Sequence, residues 1–140
     1  MRLYVKQKLL FDASSLIYAL KLKRVEILHN NYIQWLTVYE TLNALWKNAC
    51  LLKNININDA LTIARVLSEI VKFMKVLDPH IHEEEILKTA QKLKVTVYDA
   101  SYIVLAKSYN LILVTEDKKL KTKAENIVKT VSLNNIIKTH

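Results

Sequence analysis

The sequence predicts an α/β protein, a three-layer α/β/α sandwich with a mainly parallel central sheet. Three observations carry that prediction. Short apolar runs of strand length alternate with longer segments of helical spacing. Strands separated by helices favour parallel pairing, because a parallel neighbour is reached only through a crossover. Acidic residues stand at hydrophobic-to-polar junctions: Asp12 in LLFDASSL, Glu40 in LTVYETLNAL, Asp99 in VTVYDASYIVLA and Asp117 in LILVTEDKKL. Three of them directly follow a strand-like run, and ligand sites in such sheets lie beyond the carboxyl ends of the strands.

Residues 8–11 form a short buried strand ending at Asp12, and residues 14–22 continue with helical spacing through Leu16, Ile17 and Leu20. Residues 25–29 read as a short helix and 32–34 as a weak second strand. A long helix opens near Thr37, where Thr37-Val-Tyr-Glu40 has a capping-box pattern, with Thr37 as N-cap and Glu40 at N3. Leu42, Leu45, Trp46, Ala49 and Leu52 make its apolar stripe, which puts Trp46 in the core, and Glu40, Asn43 and Lys47 share the other side. Asn58 is the N-cap expected for a helix reaching residue 74, with Ala60, Ile63, Ala64, Leu67, Ile70 and Met74 on one face. Leu61, Val66 and Phe73 lie elsewhere on it, a breadth that fits burial against a second subunit or partner and fits an intramolecular core equally. Residues 76–77 then read as a strand, Asp78-Pro79 as a turn and 82–93 as a helix. Residues 95–98 look extended, and Asp99 opens an apolar helix over 100–108. A strongly apolar strand over 111–115 ends near Asp117, residues 118–123 begin a helical turn, 128–133 form a last strand and 134–138 a terminal helical turn.

At 140 residues, 51% hydrophobic and 24% charged, the chain fits one globular domain over residues 1–140. No apolar run approaches the length of a membrane span, and the basic opening MRLYVKQK is a poor signal peptide, so a cytoplasmic protein is expected. One cysteine, Cys50, excludes an intramolecular disulfide and a cysteine zinc site, and its helical context makes it a buried small residue. The absence of glycine excludes phosphate loops of the Walker and dinucleotide types. Left-handed backbone positions then fall to asparagine, with Asn110 ending a helix and Asn30-Asn31 and Asn134-Asn135 serving as turns. The net charge of +8 suits a polyanionic partner.

A carboxylate at the end of a buried strand costs desolvation free energy, and several converging there imply a cation. Hard divalent ions prefer oxygen ligands, and such ions activate water and stabilise charge during phosphodiester hydrolysis, with no histidine needed as base. Asp12 and Asp99 are the expected direct ligands, and Glu40 and Asp117 direct or water-mediated ones. The structural alternatives are specific: Glu40 as half of a capping box, Asp99 as an N-cap, Asp117 beside Glu116 as a solvated turn acid. Asp12 interrupts a buried segment and is the hardest to explain that way. Ser14 and Ser15 suggest phosphate or water contacts, with helix capping as the simpler role.

The segments LLFDASSL, YETLNAL, YDASYIVLA and LVTED resemble, in order and spacing, the four acidic motifs of PIN-domain nucleases, and within them the VapC-type toxin ribonucleases. The resemblance runs from residue 9 to about residue 133. It implies a sandwich in which Asp12, Glu40, Asp99 and Asp117 are the catalytic set and hold Mg²⁺ or Mn²⁺ for RNA hydrolysis. It further implies that Thr115 steadies the last acid or a bound water and that Asn43 lies beside the site. Small stand-alone members of this kind are toxins of type II toxin–antitoxin pairs, so a homodimer and a cognate antitoxin are implied as partners. The chain departs from the pattern at Asn110, where a glycine is common, and matches it poorly over residues 32–36. An RNA-processing nuclease of the same fold and a catalytically silent nucleic-acid-binding module are the alternatives. An aspartyl-phosphate enzyme would need a second Asp where Ser14 stands.

Lys118, Lys119, Lys121 and Lys123 follow Asp117 closely, and lysines at a helix start oppose its dipole. Phosphate contacts, above all by Lys118, Lys119 and Lys121, would explain them; a solvated face is the bland reading. His80 and His82 with Glu83, Glu84 and Glu85 superficially resemble a transition-metal cluster but read as a polar helix entrance. Tyr98 and Tyr102 are better placed than the other aromatics to touch substrate.

Overall fold

The computed structural model describes residues 8–138. The opening residues 1–7, on which the signal-peptide reading falls, and residues 139–140 lie outside the described residues. Three consecutive buried apolar residues make β1 (Leu9–Phe11). The other strands are equally short: β2 (Tyr32–Gln34), β3 (Lys75–Leu77), β4 (Ile112–Val114) and β5 (Thr130–Val131). They form one sheet in the order β3-β2-β1-β4-β5, with β1 in the middle. A central strand of a helix-covered parallel sheet is buried on both faces, which is why Leu9, Leu10 and Phe11 show no polar alternation. Helices α1 (Ala13–Lys21), α2 (Trp35–Trp46), α3 (Ile57–Val71), α4 (Glu83–Leu93), α5 (Val97–Ser108), α6 (Lys118–Ala124) and α7 (Leu133–Ile137) complete the three-layer α/β/α class that the sequence predicts. Among the described residues, no helix is long and apolar enough to cross a membrane.

The chain divides into two compact units, Phe11–Asp78 on the one hand and the residues up to Leu10 with those from Pro79 on the other. In the first, β2 and β3 pair in parallel, with Tyr32, Ile33 and Gln34 opposite Lys75, Val76 and Leu77. The Asn31 side-chain amide donates to Ile27 O at 2.7 Å and the Asn31 main-chain carbonyl accepts from Lys75 N–H at 2.8 Å, which fixes the entry to β2. Helix α2 turns Thr37, Thr41 and Leu45 inward, and α3 buries Ala60 and Leu67. In the second unit, β4 and β5 pair in parallel, with Leu113 and Val114 opposite Thr130 and Val131, and Ile112 N–H donates to Lys8 O at 2.9 Å. Helix α5 is buried from Ala100 to Ala106, and Ala100 and Val104 pack on Ile86 and Ala90 of α4.

Several element boundaries differ from the sequence reading, each for a local reason. Residues 95–98 are not extended: Thr96 is an N-cap whose hydroxyl accepts Asp99 N–H at 3.1 Å, so the β-branched run enters α5 instead. Helix α2 starts at Trp35, not Thr37; Gln34 is its N-cap, and Gln34 N–H donates to Thr37 Oγ1 at 3.2 Å. Helix α3 is capped by Asn56, which accepts Asn58 N–H, rather than by Asn58. Of the stripe expected to face the core on α2, Leu45 is buried, but Trp46 is exposed, as are Leu42 and Leu52. Threonines fill the inward face in their place. Cys50 is also exposed, in a π-helical turn over Lys47–Leu51 that continues α2.

The missing glycines are replaced at helix ends by other residues in left-handed conformation. Asn110 (φ 55) closes α5 with a Schellman motif, in which Leu111 N–H donates to Ala106 O at 2.8 Å and Asn110 N–H to Lys107 O at 3.3 Å. Asn30 also has positive φ, but Asn134 and Asn135 do not: they lie within α7. Lys23, Lys53, Lys94 and the β-branched Ile81 take the remaining positive-φ positions.

Among the described residues, the Thr41 hydroxyl is buried without a hydrogen-bond partner. An unsatisfied buried polar group costs about 1–3 kcal/mol. Thr41→Val keeps the shape and removes the hydroxyl, so its thermal unfolding midpoint is expected to rise, corresponding to about 1 kcal/mol.

Candidate active site

Asp12 is the residue following β1 and the N-cap of α1. Its extended backbone (φ −85, ψ 180) ends the strand, and its carboxylate turns back over the first helical turn. Oδ1 accepts three hydrogen bonds, from Ser14 Oγ at 2.7 Å, Ser15 N–H at 3.0 Å and Ser15 Oγ at 3.0 Å. Asp12 is only 6% exposed. The serines thus hold the acid in one rotamer, the capping role expected of them and a positioning role besides.

Glu40 sits in the second turn of α2. Because Gln34 and Thr37 make the cap, Glu40 is not the back half of a capping box, and its half-buried side chain lies on the flank between the buried and exposed faces. Asn43 is exposed one turn further on. Asp99 is not an N-cap either. Thr96 holds that position, and Asp99 stands in the first turn of α5, half-buried, where the helix dipole favours a carboxylate.

Asp117 does cap a helix. Its Oδ1 accepts Lys119 N–H at 2.9 Å and Leu120 N–H at 3.2 Å at the start of α6. Thr115, 1% exposed, accepts Asp117 N–H at 3.0 Å and ties the acid to the end of β4. Glu116, which sequence reasoning left as a mere neighbour, accepts Leu133 N–H through both oxygens at 3.3 and 3.4 Å, at the first residue of α7. Lys118 and Lys119 are exposed and Lys121 half-buried along α6. Tyr98 is exposed, but Tyr102 is 1% exposed and belongs to the core, which removes it as a substrate contact. A residue four places on from Tyr98 shares its side of a helix, yet α5 is buried through its middle and reaches solvent only in its first and last turns.

Asp12 and Glu40 belong to the first unit, Asp99 and Asp117 to the second. Among the described residues, no group of three or more His, Cys, Asp or Glu side chains is gathered as a metal cluster, and this includes the histidines near α4. His80 Nδ1 instead pairs with Glu83 at 2.8 Å, and this hydrogen bond holds the Glu83 carboxyl below the usual carboxylate range. A groove of about 570 Å³ between α4 and α5, lined by Glu84, Lys88, Lys92 and Lys107, includes none of the four acids. In chemistry the four acids fit a hard divalent cation: all are oxygen donors, each held near a strand end or a helix start.

The α/β/α fold with acids at these positions defines a class before any particular family. Among solved structures, the fold is similar to the crystal structure of PAE2754 from Pyrobaculum aerophilum, at TM-score 0.78 and 31% identity over 95% of this chain and 96% of that one. It is similar in fold to a structure of VapBC-1 from nontypeable Haemophilus influenzae, at TM-score 0.57 and 18% identity over 90% of this chain and 98% of that one. Two Pyrobaculum aerophilum proteins are each 37% identical: one named exonuclease VapC9, over 79% of this chain and 75% of its own, and one named ribonuclease VapC3, over 66% and 70%. The PIN domain family profile matches residues 9–126, and the chain belongs to that family.

Removing the α1 cap separates the structural role of Asp12 from any catalytic one. Asp12→Ala should lose about 1–2 kcal/mol in chemical denaturation, whereas Asp12→Asn, which keeps an acceptor at Oδ1, should stay within about 1 kcal/mol of wild type.

Proposed function

We propose that this protein is a Mg²⁺- or Mn²⁺-dependent endoribonuclease, the cytoplasmic toxin of a type II toxin–antitoxin pair, with all 140 residues forming one nuclease domain. It works as a homodimer and is silenced by a cognate antitoxin. The observation that carries this reading is Asp12, a carboxylate held almost out of water at the end of the central strand, in a chain whose residues 9–126 match the PIN family. The names of the VapC9 and VapC3 relatives support nucleic-acid hydrolysis.

Asp12, Glu40, Asp99 and Asp117 hold the cation. When bound, the cation neutralises phosphate charge and favours attack by water on the phosphodiester. Ser14 and Ser15 fix the Asp12 carboxylate so that little reorganisation accompanies binding. Thr115 holds the turn carrying Asp117. Asn43, one turn beyond Glu40, offers an amide to substrate or water. Lys118, Lys119 and Lys121 attract the RNA backbone, a role that accounts for cations at a helix start.

The test is cleavage of an RNA pool, including a circular RNA, by the purified protein. Cutting with Mg²⁺ or Mn²⁺, its loss in EDTA, and a fall of about 100-fold or more in both Asp12→Asn and Asp99→Asn are expected. Cutting of linear but not circular RNA would replace the endonuclease by an exonuclease, the activity in the VapC9 name. RNA binding without cutting would leave a silent binding module, and cleavage unaffected by any co-expressed inhibitor from its own operon would favour an RNA-processing enzyme.

Replacing Lys118, Lys119 and Lys121 together by Ala should raise KM with little change in kcat. The slope of log affinity against log salt for single-stranded RNA should become shallower by about 2, roughly 0.7 for each lost phosphate contact.

A further inference from the structure

Tyr98 stands in the first turn of α5, directly before Asp99, and is 57% exposed. Four places on, on the same side of the helix, Tyr102 is 1% exposed. Tyr98 is therefore the point at which a buried helix face comes out into solvent. Neither burial nor the helix dipole gives a tyrosine a role there, since the dipole favours acids in the first turn. Val97 beside it is exposed as well. The backbone beneath the ring is firm. Ser101 Oγ donates to Tyr98 O at 2.6 Å, Thr96 Oγ1 accepts Asp99 N–H at 3.1 Å, and the helix is buried from Ala100 to Ala106.

We propose that the Tyr98 ring is a stacking platform for an RNA base next to the phosphodiester that is cut, which makes Tyr98 a substrate-positioning residue. The inference rests on the RNA substrate of the proposed function and names how one nucleotide of it is held. Three observations carry it. At 3.6 residues per turn, consecutive side chains point roughly 100° apart, so the ring stands beside the Asp99 carboxylate and not over it. A phosphate drawn to a cation on that carboxylate has its own nucleoside alongside, within reach of the ring.

The turn leading into α5 is basic. Lys92 and Lys94 are exposed, neither is in an ion pair among the described residues, and the run from Lys92 to Tyr98 holds no acid. Lysines interleaved with an exposed aromatic are the composition of surfaces that bind single strands, where cations follow the backbone and rings take the bases. The ring is also unoccupied by the protein itself. Among the described residues, Tyr98 has no aromatic or cationic partner on its face and no hydrogen-bond partner at its hydroxyl. A rigid, open ring with a basic approach on one side and a site acid on the other suits a base rather than a phosphate, because stacking needs only the π-face.

Fluorescence anisotropy of labelled octa-adenylate and octa-uridylate RNA with Mn²⁺ tests this, using the full chain carrying Asp12→Asn so that the probe is bound and not cut. Circular dichroism confirms the fold of each variant. Adding Tyr98→Ala should raise Kd for octa-adenylate about 10-fold, and less for octa-uridylate, whose bases stack more weakly. The slope of log affinity against log salt should stay unchanged, whereas Lys94→Ala should make it shallower by roughly 0.7. Tyr98→Phe and Tyr98→Trp should stay within about 3-fold of the parent, and Tyr98→Leu, apolar without a π-face, should bind as weakly as Tyr98→Ala. Tyr109→Ala, at the other exposed end of α5, should bind as the parent does. Without Asp12→Asn, Tyr98→Ala should raise KM for RNA cleavage and leave kcat within about 3-fold. Unchanged affinity in Tyr98→Ala, or an equal loss in Tyr98→Phe, overturns the platform. Binding that depends on the Tyr98 ring in a chain that never cuts RNA supports the stacking contact and overturns the nuclease reading. A chain that binds neither RNA overturns the platform, and cleavage of the RNA pool then judges the nuclease reading separately.

Discussion

One oxygen atom anchors the local architecture around the first acid. Oδ1 of Asp12 takes a backbone N–H and two hydroxyls from the first turn of α1, immediately after the most buried strand in the sheet. The side chain that ends the strand is therefore the one that begins the helix, with no intervening loop to blur its position. A carboxylate placed this way loses most of its water and is compensated by oriented donors. It is also preorganised, because the backbone that carries it belongs to regular structure on both sides.

The same economy recurs at the other acids, with different caps. Thr96 takes the N-cap of α5 and leaves Asp99 in the first turn. Gln34 and Thr37 close the start of α2 and leave Glu40 a turn further in. Asp117 caps α6 with Oδ1 while Thr115 holds its own N–H. Capping by a neighbour sets where the backbone carries an acid, and two of the four acids, Glu40 and Asp99, gain their place in this way. Glu116 is the converse case, a carboxylate beside the candidate set whose two oxygens are engaged by α7.

Glycine's absence is compatible with this economy because the helices end through side-chain-tolerant left-handed positions. Asn30 and Asn110 adopt it at modest cost, and three lysines adopt it where their side chains remain in solvent. The strands being three residues or fewer, the sheet has little intrinsic stability along its length, and its buried apolar residues are joined by those of the helices, above all Ala100 and the run from Tyr102 to Ala106 of α5. On α2 that inward face is built from threonines and one leucine, which releases the large aromatics to the surface.

The sequence by itself determined the parallel α/β class, the four acidic junctions and, apart from an extra strand over 95–98, the element order, with the five strands placed within a residue or two. These rest on period, propensity and cap chemistry, which act over a few neighbours. Asn110 as a helix stop was legible for that reason. Thr96 rather than a strand, Gln34 rather than Thr37 as cap, and Asn56 rather than Asn58 were local choices between nearly equal caps, settled by the packing of the helix that followed. Trp46, Tyr102 and Cys50 were placed on the wrong side because helical spacing identifies a stripe but not the direction in which it faces. Only tertiary structure decided that direction, since it depends on which neighbouring element arrives to cover the helix, and periodicity carries no record of that partner.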